Sequence, residues 1–251
     1  MAIYCVSGKS SKSSATPNRR PRRLTLPSKG TSTSGLRPLA AVPQVLSVMQ
    51  ITTAAPPDLE QAVGCLATAF AEDPITGFLL ETGASYQQRV TQFFSLLMRA
   101  RIALGMPVLV ARGAAGIRGA AMGYTTARPE WPRAVADDWD QFEKAIPGLA
   151  DRIALYDEIA EKSKPSVPHY YLGVIGIDPT VHGLGIGTRL LKSFCDLSAS
   201  DRLSSGVYLE TANPSNVQFY ERAGFAETGQ GSLGSATLWC MFLRHELRHD
   251  A

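Results

Sequence analysis

Three glycines constrain this chain more than any other feature. Gly183, Gly185 and Gly187 alternate in the run VHGLGIGTRLL, between a strand-like stretch ending at Asp178-Pro179 and a helical pattern of Ile186, Leu190, Leu191, Phe194 and Leu197. Alternating glycines let successive backbone N–H groups converge on one side. The helix that follows adds the partial positive charge of its N-terminus, and together they suit a phosphate. Two common phosphate loops are excluded. A Walker loop needs Gly-Lys-Ser/Thr, and Gly187 is followed by Thr188 and Arg189. The dinucleotide fingerprint needs a third glycine where Thr188 stands. The form that remains is polar-x-x-Gly-x-Gly behind strand-Asp-Pro.

The flanking residues extend the pattern. His169 to Ile177 reads as a strand with Gly173 and Gly176 inside it. Interior glycines weaken a strand unless a bulge splays it or a chain-like group lies against its backbone. Asp178-Pro179 ends it, because proline cannot continue the ladder. Gly206 to Ala212, GVYLETA, is the next strand, and alternation puts Val207, Leu209 and Thr211 on one face and Tyr208 and Glu210 on the other. Asn213-Pro214-Ser215 predicts a turn, Asn216 to Ala223 a short helix stopped by Gly224, and Phe225 the start of another strand. Ala236 to Arg244 closes the sheet.

Upstream the composition changes. Residues 1 to 48 are rich in Ser, Thr, Pro, Gly and Arg, and no Asp or Glu precedes Asp58. The first 57 residues carry eight Lys or Arg, and the rest hold 17 basic and 22 acidic residues. The net charge of +3 therefore belongs to a tail, and the globular part is mildly acidic, so no nucleic-acid partner is expected of the fold. Such a tail buries too little to offset its chain entropy and is expected to be disordered. It reads as an organelle transit segment, a basic arm, or upstream sequence of little consequence. The last reading is favoured, with one domain over 49–251. No apolar run approaches the ~18 residues of a membrane span, so a soluble, cytoplasmic protein without a membrane partner is expected. Cys5, Cys65, Cys195 and Cys240 show no CxxC spacing and do not group with the histidines, which predicts free thiols and no metal site.

Coarse elements fill the remainder. Gln50 to Ala54 is a strand, and Pro56 to Phe70 a helix with its stripe at Leu59, Val63, Leu66, Ala67 and Phe70, stopped by Asp73-Pro74. Tyr86 to Leu104 is a second helix. Val108 to Ala111 and Ile117 to Thr125 are strands, and Gly119 and Gly123 in the latter predict a bulge or a close approach. Glu130 to Leu149 and Asp151 to Lys164 are helical, with Trp131, Trp139 and Phe142 among polar residues.

With those residues in view, the chain resembles the GNAT superfamily of acetyl-CoA-dependent N-acetyltransferases. The matching parts are His182-x-x-Gly185-x-Gly187, Asn213, and Phe219-Tyr220-x-x-x-Gly224-Phe225. Within the family, Gly183 to Gly187, Leu209-Glu210-Thr211, Phe219-Tyr220-Glu221-Arg222 and Trp239-Cys240-Met241 look most like the puromycin N-acetyltransferases and their relatives. Element order is similar from about Met49 to Arg244, while the specific motifs lie between His169 and Met241.

The resemblance implies an α/β fold of the GNAT type, a mixed sheet with a splayed central strand, and acetyl-CoA as co-substrate. It implies that Ile175, Gly176 and Ile177 pair with the pantetheine arm through their backbone. Backbone N–H groups of His182, Gly183, Gly185, Ile186, Gly187 and Thr188 would hold the pyrophosphate, and Asn213 and Asn216 would reach the pantetheine. Tyr220 would protonate the departing thiolate. Amine acylation also needs a base, for which Glu210 is the candidate, against an equal reading as a structural carboxylate. The family usually has Gln or Arg where His182 stands, which predicts a grip resting on backbone donors. His169, Tyr170 and Tyr171 are expected to pack at the strand edge rather than line a pocket, Trp239 and Met241 to be core, and His245 and His249 to be solvated. The implied activity is acetyl transfer to a primary amine of a small molecule. A peptide or protein acetyltransferase and a non-catalytic acyl-CoA module remain as alternatives. No motif in the first two helices or in Glu130 to Lys164 names the acceptor.

Overall fold

A computed structural model of the chain describes residues 49–246. The tail expected over 1–48, Cys5 and His249 lie outside the described residues. The strands are β1 Gln50–Thr53, β2 Val108–Gly113, β3 Gly116–Tyr124, β4 Tyr170–Ile177, β5 Gly206–Thr211, β6 Ala226–Leu233 and β7 Ala236–Arg244. The helices are α1 Leu59–Ala69, α2 Pro74–Leu80, α3 Tyr86–Ala103, α4 Arg133–Lys144, α5 Leu149–Ser163, α6 Ile186–Ser200 and α7 Pro214–Arg222. The strands form one mixed sheet in the order β1-β2-β3-β4-β5-β7-β6. Only β4 and β5 pair in parallel; every other neighbouring pair is antiparallel. This mixed α/β architecture is the one expected. Among the described residues no single helix is long and apolar enough to cross a membrane.

Two apolar layers sandwich the sheet. One packs α1, α3, α4 and α5 through residues such as Leu66, Phe93, Phe142 and Ile153. The other packs α6 and α7 through Leu190, Phe194 and Tyr220 against Leu172, Ile175, Leu209 and Met241. The alternation of β5 decides the sides: Leu209 faces α6 and α7, whereas Tyr208 joins Tyr124, Tyr171, Cys240 and Phe242 in a third cluster.

Three local readings need correction. Asp73-Pro74 ends the first helical run but also starts α2, because Asp73 Oδ1 accepts from the N–H groups of Ile75 at 3.1 Å and Thr76 at 2.9 Å. An N-capping acid followed by proline opens a helix as readily as proline closes one. For the same reason the short helix begins at Pro214, not at Asn216, with Asn213 as its cap. The helix expected over Glu130 to Leu149 spans only Arg133–Lys144, since Pro132 precedes its first turn and Pro147 follows its last. His245, expected in solvent, has its ring Nε2 2.8 Å from the Ser198 hydroxyl.

Candidate active site

The site begins where β4 and β5 part. They pair only at Tyr170 with Val207 and Tyr171 with Tyr208, so from Leu172 onward the β5-facing edge of β4 has no strand against it. The cause lies partly on the other side of β4. Gly123 pairs with Leu172 and Met122 with Val174, which leaves Gly173 as an extra residue and bends the strand. Gly123 is required there, because a Cβ would stand 1.9 Å from the Tyr171 carbonyl oxygen and 2.6 Å from the Phe194 ring. Gly176 answers to the protein itself: a Cβ would meet Leu66 at 2.8 Å and Phe70 at 2.9 Å, so α1 is the group lying against this backbone.

The glycine loop follows directly. Asp178 closes β4, pairs with Arg118 at 2.5 Å and accepts from the Thr180 N–H at 2.9 Å, which sets the turn at Pro179–Val181. Gly183 and Gly185 then adopt φ of +81° and +74°, a backbone region that disfavours side chains. Gly185 is the N-cap of α6, and its carbonyl accepts the Arg189 N–H at 3.1 Å. By helix geometry the N–H groups of Gly185, Ile186, Gly187 and Thr188 have no acceptor within α6 and point out of its mouth. Gly187 differs from the other two. Its φ is not positive, and a Cβ would sit in ordinary contact 3.6 Å from Ile177 and 3.9 Å from Phe219. His182 is turned away from the mouth: its Nε2 lies 3.0 Å from the Ile177 carbonyl oxygen, and its N–H donates to Pro179 at 3.4 Å. The loop therefore offers backbone donors from Gly183 to Thr188, and neither the His182 ring nor its N–H adds to them.

Asn213 caps α7, its Oδ1 accepting from the Ser215 N–H at 3.0 Å and the Ser215 hydroxyl at 2.7 Å. Asn216 is buried in the first turn of that helix. Tyr220 is 1% exposed, with its ring 5.3 Å from Phe219 and 5.5 Å from Phe225. These residues belong to the α6–α7 side, which is also the side of Ile175 and Ile177.

Glu210 lies on the opposite face and is fully buried. Its Oε2 accepts from the Tyr156 hydroxyl at 2.9 Å and the Tyr171 hydroxyl at 2.8 Å, while Oε1 is buried without a partner. Burial pushes the carboxyl up to about 7, against the opposing pull of the tyrosine hydrogen bonds. One oxygen is thus tied to α5 and β4, and the other stands buried beside a cavity. Glu210 lines this cavity of about 750 Å³ together with Tyr124, Trp131, Trp139, His169 and Tyr171. This volume is in the range of small-molecule sites. His169 and Tyr171, expected at a strand edge, are therefore cavity walls, whereas Tyr170 packs on the α6 side. Behind the cavity, Arg101 is buried, donates to the Leu97 carbonyl at 3.0 Å and covers the Tyr124 ring at 4.6 Å.

Tyr156, Arg128 and the two tryptophans were not readable as site residues. Tyr156 sits in the buried stripe Ile153, Tyr156, Ala160 of α5, where a tyrosine looks like packing. The one available signal was its hydroxyl, which needs a partner when buried.

Residues 108–225 match the model of the acetyltransferase (GNAT) family. Among solved structures the chain is similar to histone acetyltransferase HPA2 and related acetyltransferase from Corynebacterium glutamicum, at 23% identity and a TM-score of 0.60, over 80% of this chain and 98% of that one. It is also similar to the Drosophila melanogaster polyamine N-acetyltransferase that forms N-acetylagmatine, at 15% identity and a TM-score of 0.56, over 79% and 100%. A Pyrococcus horikoshii protein aligns at 15% identity and a TM-score of 0.52, over 80% and 100%. At these identities the likeness shows the fold, which is that of the GNAT acetyltransferases. The family match is confined to residues 108–225, and the neighbours share the fold over about 80% of this chain.

Proposed function

We propose that the protein transfers the acetyl group of acetyl-CoA directly to a primary amine of a small molecule, in a ternary complex. The reading rests on one arrangement: a strand edge left open beside a glycine-lined helix mouth, with a buried, half-satisfied carboxylate on the far face of the adjoining strand. The open edge of β4 at Ile175, Gly176 and Ile177 suits an extended amide-bearing arm. The free N–H groups from Gly183 to Thr188 suit the diphosphate at its end. Asn213 and Asn216 stand at the start of α7, beside the path such an arm would take.

The chemistry follows from these positions. Glu210 takes a proton from the acceptor ammonium at Oε1, directly or through one water, with Tyr156 and Tyr171 holding Oε2. The neutral amine attacks the thioester carbon, a C–N bond forms, and a backbone N–H near Ile175 faces the developing oxyanion. The C–S bond then breaks. Tyr220 gives its hydroxyl proton to the departing sulfur and regains one from the acylated nitrogen through solvent. The products are the N-acetylated amine, CoA thiol and one released proton. The likeness of Leu209-Glu210-Thr211 and Trp239-Cys240-Met241 to puromycin N-acetyltransferases supports a place near those enzymes within the family, and a cavity of about 750 Å³ is of the size that takes a small acceptor.

The test is free-thiol release from acetyl-CoA against a panel of primary amines. Tyr220→Phe should lower kcat by about 10²-fold or less while leaving acetyl-CoA affinity nearly unchanged. Full turnover by that variant would remove Tyr220 from the reaction, and acetyl-CoA binding without turnover of any amine would favour a sensing module.

A further inference from the structure

The cavity over Glu210 has walls that amine acylation alone does not require. Trp131 and Trp139 meet edge to face with centroids 5.5 Å apart, and the Trp131 indole N–H donates to the Tyr124 hydroxyl at 2.7 Å. That bond fixes the outer indole over the cavity. Glu130, Asp140, Asp157 and Glu161 add their carboxylates to that of Glu210. The basic side chains in the lining are Arg128 and Lys164, and Lys164 is already paired with Glu161 at 2.5 Å.

A cation already rests on the inner wall. The Arg128 guanidinium carbon is 5.5 Å from the Tyr124 ring centre and 6.0 Å from that of Tyr171, distances at which aromatic faces attract positive charge. Arg128 is exposed, and its hydrogen bonds run to the carbonyls of Thr125, Ala127 and His169, so it can swing out without breaking the core. Arg101 lies behind Tyr124 and is not part of the lining.

We propose, building on the acetyl-transfer reading above, that the acceptor is a primary amine on a flat apolar body and carries no carboxylate. The body lies against Trp131 and Trp139, and the ammonium takes the place held by Arg128, beside Tyr171 and the unpartnered Oε1 of Glu210. An ammonium is stabilised there by the aromatic faces and the surrounding carboxylates. A carboxylate on the acceptor would be pressed against the same acids. Arg128 competes with the ammonium for one position and must leave for the acceptor to enter.

Thiol release by the full chain is measured with 2-phenylethylamine, phenylalanine and 1,4-diaminobutane, together with tryptophan fluorescence as each is added. The kcat/KM for 2-phenylethylamine should exceed the other two by about tenfold or more. Its quench should persist in Trp239→Phe, a strand residue outside the cavity, and weaken in Trp131→Leu. Arg128→Gln should lower its KM by about threefold. A raised KM in that variant, or preference for phenylalanine, would mean that Arg128 grips an anion and would overturn the proposal. Preference for 1,4-diaminobutane, or no quench and no turnover with 2-phenylethylamine, would overturn it as well. Acetyl-CoA titration separates the two levels: binding with the wrong preference removes the acceptor class alone, and no binding removes the reaction.

Discussion

The glycine loop and the Glu210 cavity flank the same parting of β4 from β5 and are built in opposite ways. The loop is a single run, 183–188, whose donors are backbone N–H groups exposed by two left-handed glycines and a helix mouth. The cavity is assembled from β3, α4, α5, β4 and β5, and its chemistry resides in side chains more than 30 residues apart, such as Tyr171 and Glu210. Backbone recognition suits a group common to every turnover. Side-chain recognition suits the variable partner. If this division is right, substitutions on one side should leave binding at the other untouched.

The largest break is expected from Glu210→Gln. Loss of the proton acceptor should lower kcat/KM by about 10²- to 10⁴-fold, with acetyl-CoA affinity measured by calorimetry staying within about twofold. The same group is expected to set the pH profile of the unaltered protein. Glu210 is protonated below about 7 and then cannot accept, so kcat/KM should climb as pH rises through about 7. Its folded-state value lies above the ordinary 4.5, so the protonated form is the one the fold prefers. Its burden on stability is therefore absent below about 4.5 and complete above about 7, and Glu210→Gln should melt higher than the parent at pH 8.

Next in size is Gly185→Val on the other side of the parting. A β-branched residue at φ +74° costs roughly 1–2 kcal/mol, so acetyl-CoA should bind about tenfold more weakly while the KM of the amine holds. A matched fall in amine affinity would show that the two regions are coupled.

Legibility divides along the same line. The loop was readable because its physics is local: alternating glycines, a closing Asp-Pro and an apolar helix lie within about twenty residues. The splay was half readable, since Gly173 signalled the bulge, but Gly176 proved to serve the packing of α1. The donors to Glu210 were unreadable. Tyr156 and Tyr171 come from elements whose meeting depends on the whole sheet, and no spacing announces it. Asp73 and Asn213 show the smaller failure: an acid or amide before proline looks like punctuation in sequence, whereas each caps a helix that starts there.

Tyr171→Phe sharpens the comparison within the cavity. Removing one donor to Oε2 should raise the Glu210 carboxyl further and move the acid limb of the kcat/KM profile up by about one pH unit. A merely structural tyrosine would lower the rate without moving that limb. The smallest effect is expected from His182→Gln. The ring bonds to Ile177 and not outward, so acetyl-CoA affinity should change by less than about threefold, and a large loss would contradict a loop that works through its backbone.

The central claim is that the parting of β4 from β5, with the glycine mouth beyond it, is an acetyl-CoA site independent of the acceptor cavity. Calorimetric titration of acetyl-CoA into the parent chain, Gly185→Val and Glu210→Gln tests it most directly. The account predicts saturable binding by the parent, about tenfold weaker binding by Gly185→Val, and parent-like binding by Glu210→Gln. No heat from the parent at millimolar acetyl-CoA, or equal losses in both variants, would contradict it.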